Sequence, residues 1–482
     1  MSKENNTTIL SVITNSIVKV AHKIIFVLKE WILLFIYPLR ITFVLVKSIF
    51  YILSILIIAF YGRIGNMKKI CLFLILLLVC LNIILAFGSA EKPETIKITL
   101  VHGWGGAAPD HVAMRKIYSD FQTLHPEIEL VTKVYPDLEV VLEKETDELA
   151  LGRLSDIVST NGDGKLVMNA ITLGLAENLM PYLDSDPIFS ANISPAIRSS
   201  LISEDNKLYT IPDSLEVVGF WYNKRILEEC NINQIPTTWE GLIEAIIKIE
   251  KSGLYSAFNT DLFQNKLLFS ALLASASQES LDFFLKNNGK LTEEVVLYAI
   301  ENLNLILSNI DSTLYTSFIN RSRFYEGNVA FYFNGVWANT ELDVIANSED
   351  YAYAAYPSFN NKTASFVSAV PGYIVNSKGS ETQRKARVEL IKYMLSEEIQ
   401  KRILVETRQV PSNPLISVDW IIQNQPHLGH AIKVCYEADY RLHPLSTLLK
   451  APILSIVEEF CAEPQNKELQ AKVVAVLSQN NQ

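Results

Sequence analysis

Few side chains in this 482-residue chain could do covalent chemistry, and their spacing removes most of the options. The string Leu100-Val101-His102-Gly103-Trp104-Gly105-Gly106 is the kind of glycine-rich turn that offers backbone N–H groups to a developing oxyanion. That chemistry needs a nucleophile on a Gly-x-Ser-x-Gly turn, and no Gly-x-Ser occurs anywhere in the sequence. His427, His430 and His443 could serve as bases, but they have nothing to activate. Asn161-Gly162-Asp163-Gly164 has the outline of a calcium loop. Its first and twelfth positions hold Ser159 and Ala170, where an EF-hand places carboxylates. His427 and His430 have no companion pair at metal spacing. No P-loop and no dinucleotide G-x-G-x-x-G is present, so neither cofactor nor metal is expected. Carboxylate pairs of the glycosidase kind are unavoidable in a chain with 52 acidic residues, and spacing cannot select one.

The charge is distributed unevenly. Residues 1–69 carry nine Lys/Arg against Glu4 and Glu30, whereas residues 70–482 hold 33 basic and 50 acidic side chains. So acidic a body repels a phosphate backbone, which excludes nucleic acid as a partner. The mean hydropathy of +0.19 comes from three apolar stretches before residue 90. Residues 24–37 hold Lys29 and Glu30 and stop at Pro38; residues 41–60 hold only Lys47 and are long enough to span a bilayer. The third begins Met67-Lys68-Lys69, runs uncharged over 70–87, and ends in Gly88-Ser89-Ala90. A basic start, an apolar middle and small exit residues make a secretory signal, cut after Ala90, or an uncleaved anchor. Val79 before Cys80 argues against a lipidation site. Residues 1–66 are then either a further membrane segment or lie upstream of a true start at Met67. Only Cys230, Cys435 and Cys461 follow residue 90, too few for a disulfide framework though enough for one pair.

Beyond residue 95, apolar periodicity alternates between strand and helix. Strands are expected at 96–101, 127–135 and 155–158, with helices at 111–124 and 166–175. After residue 225 helices dominate, at 239–251, 262–275, 293–308, 341–346, 382–395 and 397–407. Short strands fall at 329–333, 351–356 and 372–375. The alternation predicts an α/β fold with mostly parallel sheets.

Taken in order, several pieces resemble the extracellular solute-binding proteins of ABC importers, particularly the oligosaccharide-binding group that includes maltose-binding protein. They are residues 98–104, His125-Pro126-Glu127-Ile128, Ser155-Asp156-Ile157-Val158, Ala176-Glu177-Asn178-Leu179-Met180-Pro181-Tyr182-Leu183 and Lys207-Leu208-Tyr209-Thr210-Ile211-Pro212. Phe220-Trp221-Tyr222-Asn223-Lys224, Pro236-Thr237-Thr238-Trp239, Phe324-x-x-Gly327-x-x-Ala330, Asn334-Gly335-Val336-Trp337 and Val410-Pro411 continue the series. Each is loose alone, but their joint order from 97 to 414 is specific.

The resemblance implies a two-lobed fold of the type II periplasmic-binding-protein kind. Its discontinuous lobes, 91–214 with 358–402 and 215–357 with 403–482, are joined by crossings near 211–216, 356–358 and 402. It implies a non-catalytic, monomeric protein outside the cytoplasmic membrane that captures a sugar and delivers it to a membrane permease. Two other readings are a carbohydrate hydrolase, needing two carboxylates about 5–10 Å apart, and a tethered sensor signalling through 1–87. Carried over by position, the solute contacts are Asp163, Glu216 and Trp337, with Trp104 and Tyr373 on loops that reach the cleft. Carboxylates accept charge-assisted hydrogen bonds from sugar hydroxyls, and aromatic rings pack on sugar C–H faces. The plain alternatives are an Asx turn for Asp163 and simple core packing for Trp337. Glu216 lies among apolar residues, where an idle charge is costly. Ser155 stands where the family has proline, and Thr160 where the maltose group often has tryptophan. The expected solute is therefore a sugar, or else another small polar molecule, and not maltose in particular.

Overall fold

The computed structural model describes residues 95–160, 164–203, 205–286, 289–311, 313–339, 342 and 345–479. The three apolar stretches before residue 90 and Asp163 lie outside the described residues, as does most of the helix expected at 341–346. Among the described residues no helix is long and apolar enough to cross a membrane.

The chain opens with a strand–helix–strand–helix–strand run. β1 (Ile96–His102), β2 (Ile128–Val134) and β3 (Ile157–Ser159) pair in parallel in the order β2–β1–β3. The connecting helices are Pro109–Leu124 and Leu138–Ala150. The first buries Met114, Ile117, Tyr118 and Phe121, a stripe at helical spacing, and Asp137 caps the second by accepting from the Val140 N–H. Asp156, ahead of β3, is a structural residue: its carboxylate accepts from Thr99 N–H at 2.9 Å and pairs with buried Arg387. Ser155, in place of the family's proline, donates its hydroxyl at 2.8 Å to Glu145, whose carboxyl burial pushes upward in pKa.

Two strands carry the chain between cores. β4 (Thr210–Val218) pairs antiparallel along its length with β9 (Lys362–Val375), fourteen residues of which only 372–375 are legible as a strand from periodicity. At one end β9 pairs with β3; at the other it pairs with β8 (Tyr356–Ser358) and β11 (Tyr440–Leu442). A third crossing is β10 (Val410–Pro411), antiparallel to β4. The expected crossing near 356–358 therefore lies later, on β9, and the one near 402 lies at β10 beyond the helix Glu397–Thr407. A separate sheet has the order β6 (Phe331–Tyr332), β5 (Phe220–Asn223), β7 (Tyr351–Ala354), all antiparallel. The expectation of mostly parallel sheets is thus corrected. The crossing strands β4, β9 and β10 meet head to tail, the β6–β5–β7 sheet and the β8–β9 pair are antiparallel within the larger core, and six of the nine pairings among the described residues are antiparallel.

The cores follow this division. One gathers Ile98, Leu100, Ile117, Phe121, Ile211, Tyr373, Leu390 and Ile403; a much larger one gathers residues between Val217 and Phe366 and between Leu404 and Leu477. The helix Leu262–Ser275 runs through the larger core and is buried on nearly every face, which its sequence LFQNKLLFSALLAS announces, with Lys266 as the single charge. Cys230, Cys435 and Cys461 are free and buried, so no pair forms among them.

Candidate functional site

The β4–β9 ladder breaks at one place. Pro212 faces Pro371, and the register then slips so that Asp213 is left without a partner in the ladder before Ser214 meets Val370. Two prolines contribute no N–H, so the ladder loses its bonds and bends there. The freed carbonyls find side-chain donors instead. Ser412 Oγ donates to Pro212 O at 2.7 Å, Gln400 Nε2 donates to Asp213 O at 2.9 Å, and Ser412 N–H donates to Gln400 Oε1 at 3.0 Å. The three crossings are tied together at this bulge, which satisfies its buried polar groups while leaving the strands free of a regular ladder. Gly372 is required here: a Cβ on it would sit 2.7 Å from Asp213 Oδ1.

On the larger-core side of the bulge lie Glu216, on β4, and Trp337, on the segment that bridges to β4 through Val218 and Gly335. Glu216 is half-buried on β4, and its Oε2 accepts from Ser368 Oγ on β9 at 3.3 Å. Burial raises its pKa; the Ser368 hydroxyl and the charge of Lys266 oppose that rise. Val218, on the same strand face two residues on, bridges to Gly335. The Trp337 indole lies directly over Gly335, whose Cβ, if present, would be 2.2 Å from the ring. One indole face thus packs on backbone, and the half-exposed remainder stands 6.4 Å, centroid to centroid, from Phe263. Phe263, Lys266 and Ser368 are side chains that sequence reasoning passed over. Lys266, the lone charge of its helix, was the one available signal.

On the smaller-core side, the loop after β1 holds Trp104 half-exposed. Arg115 grips the loop by donating to the Trp104 carbonyl and, at 2.8 Å, to the Gly106 carbonyl. His111 Nδ1 accepts from Gly106 N–H at 2.9 Å, and its ring meets the Trp104 indole edge-on at 5.2 Å. His102 is wholly buried against the Tyr118 ring; its Nδ1 accepts from Trp104 N–H at 3.2 Å and its Nε2 has no partner. Burial, with Arg115 and His111 nearby, lowers its pKa to about 4.

Tyr373 departs from expectation. It is part of β9, not a loop, and is 0% exposed in the smaller core, where its hydroxyl meets that of Tyr118 at 3.1 Å and interacts with Asp213. The aromatic character that suggested a cleft residue is spent on packing. Asp213, missed from sequence, is buried beside it, and that burial raises its pKa to about 6.

A two-lobed α/β protein with its polar groups gathered where strands cross between cores is the architecture of a solute receptor. Residues 115–401 match the model of the bacterial extracellular solute-binding protein family, and the chain belongs to that family. Solved structures agree in fold. A Streptococcus pneumoniae solute-binding protein in complex with the blood group A-trisaccharide matches with TM-score 0.66 at 22% identity, covering 79% of this chain and 99% of that one. A chitin oligosaccharide binding protein matches with TM-score 0.66 at 21% identity, over 80% and 99%. Maltose-bound T. maritima MalE3 matches with TM-score 0.62 at 18% identity, over 79% and 98%. Comparison with curated proteins gives no significant match.

Proposed function

We propose that this protein is the exported sugar-binding component of an ABC importer, a non-catalytic receptor that closes on an oligosaccharide and presents it to a permease. The observation that carries the reading is the Val218–Gly335 bridge, which joins the strand that carries Glu216 to the segment that carries Trp337. A half-buried carboxylate with a single weak hydroxyl partner has capacity left for solute hydroxyls, and the indole on the bridged segment supplies a flat apolar surface. Trp104 and Asp163 contribute from the first lobe. Tyr373 acts from within the core, without touching solute. The likeness to solved proteins that bind the blood group A-trisaccharide, chitin oligosaccharide and maltose supports the choice of sugar.

We take the lobes to exchange at the Pro212–Pro371 bulge, about which they hinge, so that 358–370 goes with 215–357 and 403–482 rather than with 91–214. The segment 67–90 directs export and is removed after Ala90 or retained as an anchor on the outer face. A ligand drives closure only by as much as it prefers the closed form. The test is a thermal-shift screen with maltotriose, chitotriose, xylotriose and monosaccharides. A ligand stabilises by RT ln(1 + [L]/Kd), about 2.7 kcal/mol at a hundred times Kd. A shift with one sugar class, and no turnover of that sugar on prolonged incubation, supports the reading. Failure of every saccharide, alongside a shift with an amino acid or polyamine, would refute the choice of sugar.

A further inference from the structure

The segment 334–338, which carries Trp337, is held from within the larger core by three polar-tipped aromatic side chains. The Tyr353 hydroxyl on β7 donates to the Asn334 carbonyl at 2.8 Å and accepts from the Gly219 N–H, just past the end of β4, at 2.6 Å. The Trp221 indole on β5 donates to the Gly335 carbonyl at 3.0 Å. The Tyr325 hydroxyl donates to the Ala338 carbonyl. All three side chains are buried, and the Trp221 and Tyr353 rings meet edge-on at 4.7 Å. The segment adds bonds of its own: Asn334 Oδ1 accepts from Gly335 N–H at 2.8 Å, and the Gly335 carbonyl also accepts from Ala338 N–H at 3.1 Å.

The residue types carry information. Phe220, Phe331 and Phe333, wholly buried in the same core, fill space without a polar atom. A buried hydroxyl or indole N–H costs free energy unless it is bonded. Here three such tips converge on one short stretch of backbone, and the single side chain of that stretch that is not buried is Trp337.

We infer that Tyr353 is a positioning residue: its hydroxyl clamps the end of β4 to the segment that carries Trp337 and, with Trp221 and Tyr325, fixes the seat of the indole on Gly335 before any solute arrives. Gly219 follows Val218, which bridges to Gly335, and Glu216 lies two residues earlier on the same strand. Bridge and hydroxyl therefore secure the same two segments at adjacent points, which opposes sliding and twisting about either one alone. A seat fixed in advance removes the ordering cost that a mobile indole would incur on binding. That consequence rests on reading Trp337 as a solute contact; the clamp itself does not.

The test uses the full chain labelled with 5-fluorotryptophan, with the Trp337 resonance assigned by Trp337→Phe and no solute added. Tyr353→Phe removes one oxygen and both of its hydrogen bonds. Its Trp337 resonance should shift or broaden and differ more between light and heavy water than in the wild type. The resonance of buried Trp239 should stay put and report an intact fold. Tyr356→Phe is the matched control: it deletes a buried hydroxyl that has no partner, so the Trp337 resonance should not move. Tyr325→Phe releases the far side of the segment and carries the test should Tyr353→Phe fail to fold. An unmoved Trp337 resonance in the folded variant, or equal movement in Tyr356→Phe, would overturn the inference. Calorimetry with maltotriose, chitotriose and xylotriose adds a second readout. Whichever sugar binds the wild type should bind Tyr353→Phe about three- to tenfold more weakly, the cost of ordering one side chain. A moved resonance with unchanged affinity leaves the clamp standing and removes Trp337 from the solute site, and failure of every sugar to bind counts against the proposed function alone.

Discussion

Asp213→Asn and His102→Gln should change stability in opposite senses as pH is varied, which makes the pair a stringent check on the buried polar centre. Asp213 has its pKa raised from 3.8 to about 6 by burial. Its contribution to stability is therefore complete below about pH 4 and is lost as pH rises through 6. His102 is lowered from 6.5 to about 4, again chiefly by burial. Its contribution is complete above 6.5 and is lost as pH falls through 4. Each separation is about two pH units, worth roughly 3 kcal/mol at about 1.4 kcal/mol per unit. In the wild type the two slopes nearly cancel between pH 4 and 6.5, hiding both. Urea unfolding at several pH values in that window, read as variant minus wild type, separates them. Asp213→Asn should gain about 3 kcal/mol relative to wild type from pH 4 to 6.5, since the cost of the buried charge is gone. His102→Gln should gain a similar amount in the other direction, from 6.5 down to 4. Differences flat within about 0.5 kcal/mol across the window would refute the claim that these groups are desolvated in the native state.

Three further outcomes are expected. Trp337→Ala should weaken binding of the sugar identified by thermal shift by about 1–3 kcal/mol with little change in melting temperature, measured by calorimetry; a large loss of stability with unchanged affinity would make Trp337 a core residue. Glu216→Gln keeps shape but gives up charge-assisted hydrogen bonds worth roughly 1.5–3 kcal/mol, so stopped-flow dissociation should speed up by about one to two decades, and wild-type kinetics would remove Glu216 from the site. Gly335→Ala should unseat the indole that now lies over it, lowering affinity about as much as Trp337→Ala and shifting tryptophan emission, whereas an unchanged spectrum would refute that packing.

The sequence was most informative where one physical rule governed a segment. Helices with an apolar stripe and a capping side chain, such as Trp239–Ser252 after Thr238 and Glu381–Leu395 with its Ser380–Gln383 capping box, were readable to within a residue or two. β9 was not. Half of it faces one core and half the other, so its alternation changes partner midway and only the last four residues read as strand. Glu216 and Trp337 were picked by motif position, and the Val218–Gly335 bridge shows how two segments far apart in sequence meet. Tyr373 was misplaced because an aromatic on a strand has the same sequence signature whether it lines a cleft or fills a core. Asp213 escaped notice because its importance comes from a register slip, and register is a property of two strands at once.

The three buried thiols bear on how such a protein survives outside the cell. A secreted chain with no disulfide among its described residues takes no strength there from an oxidising environment, yet Cys435 and Cys461 are held far from ionisation by burial and present almost no thiolate to an oxidant. Shielding lasts only while the larger core stays closed. Once that core opens, three thiols become available together and can cross-link wrongly, so an excursion that would otherwise reverse can become permanent damage. The working lifetime of the exported protein is then set by how often this core opens, and the rate at which a thiol reagent consumes the native protein measures that frequency directly.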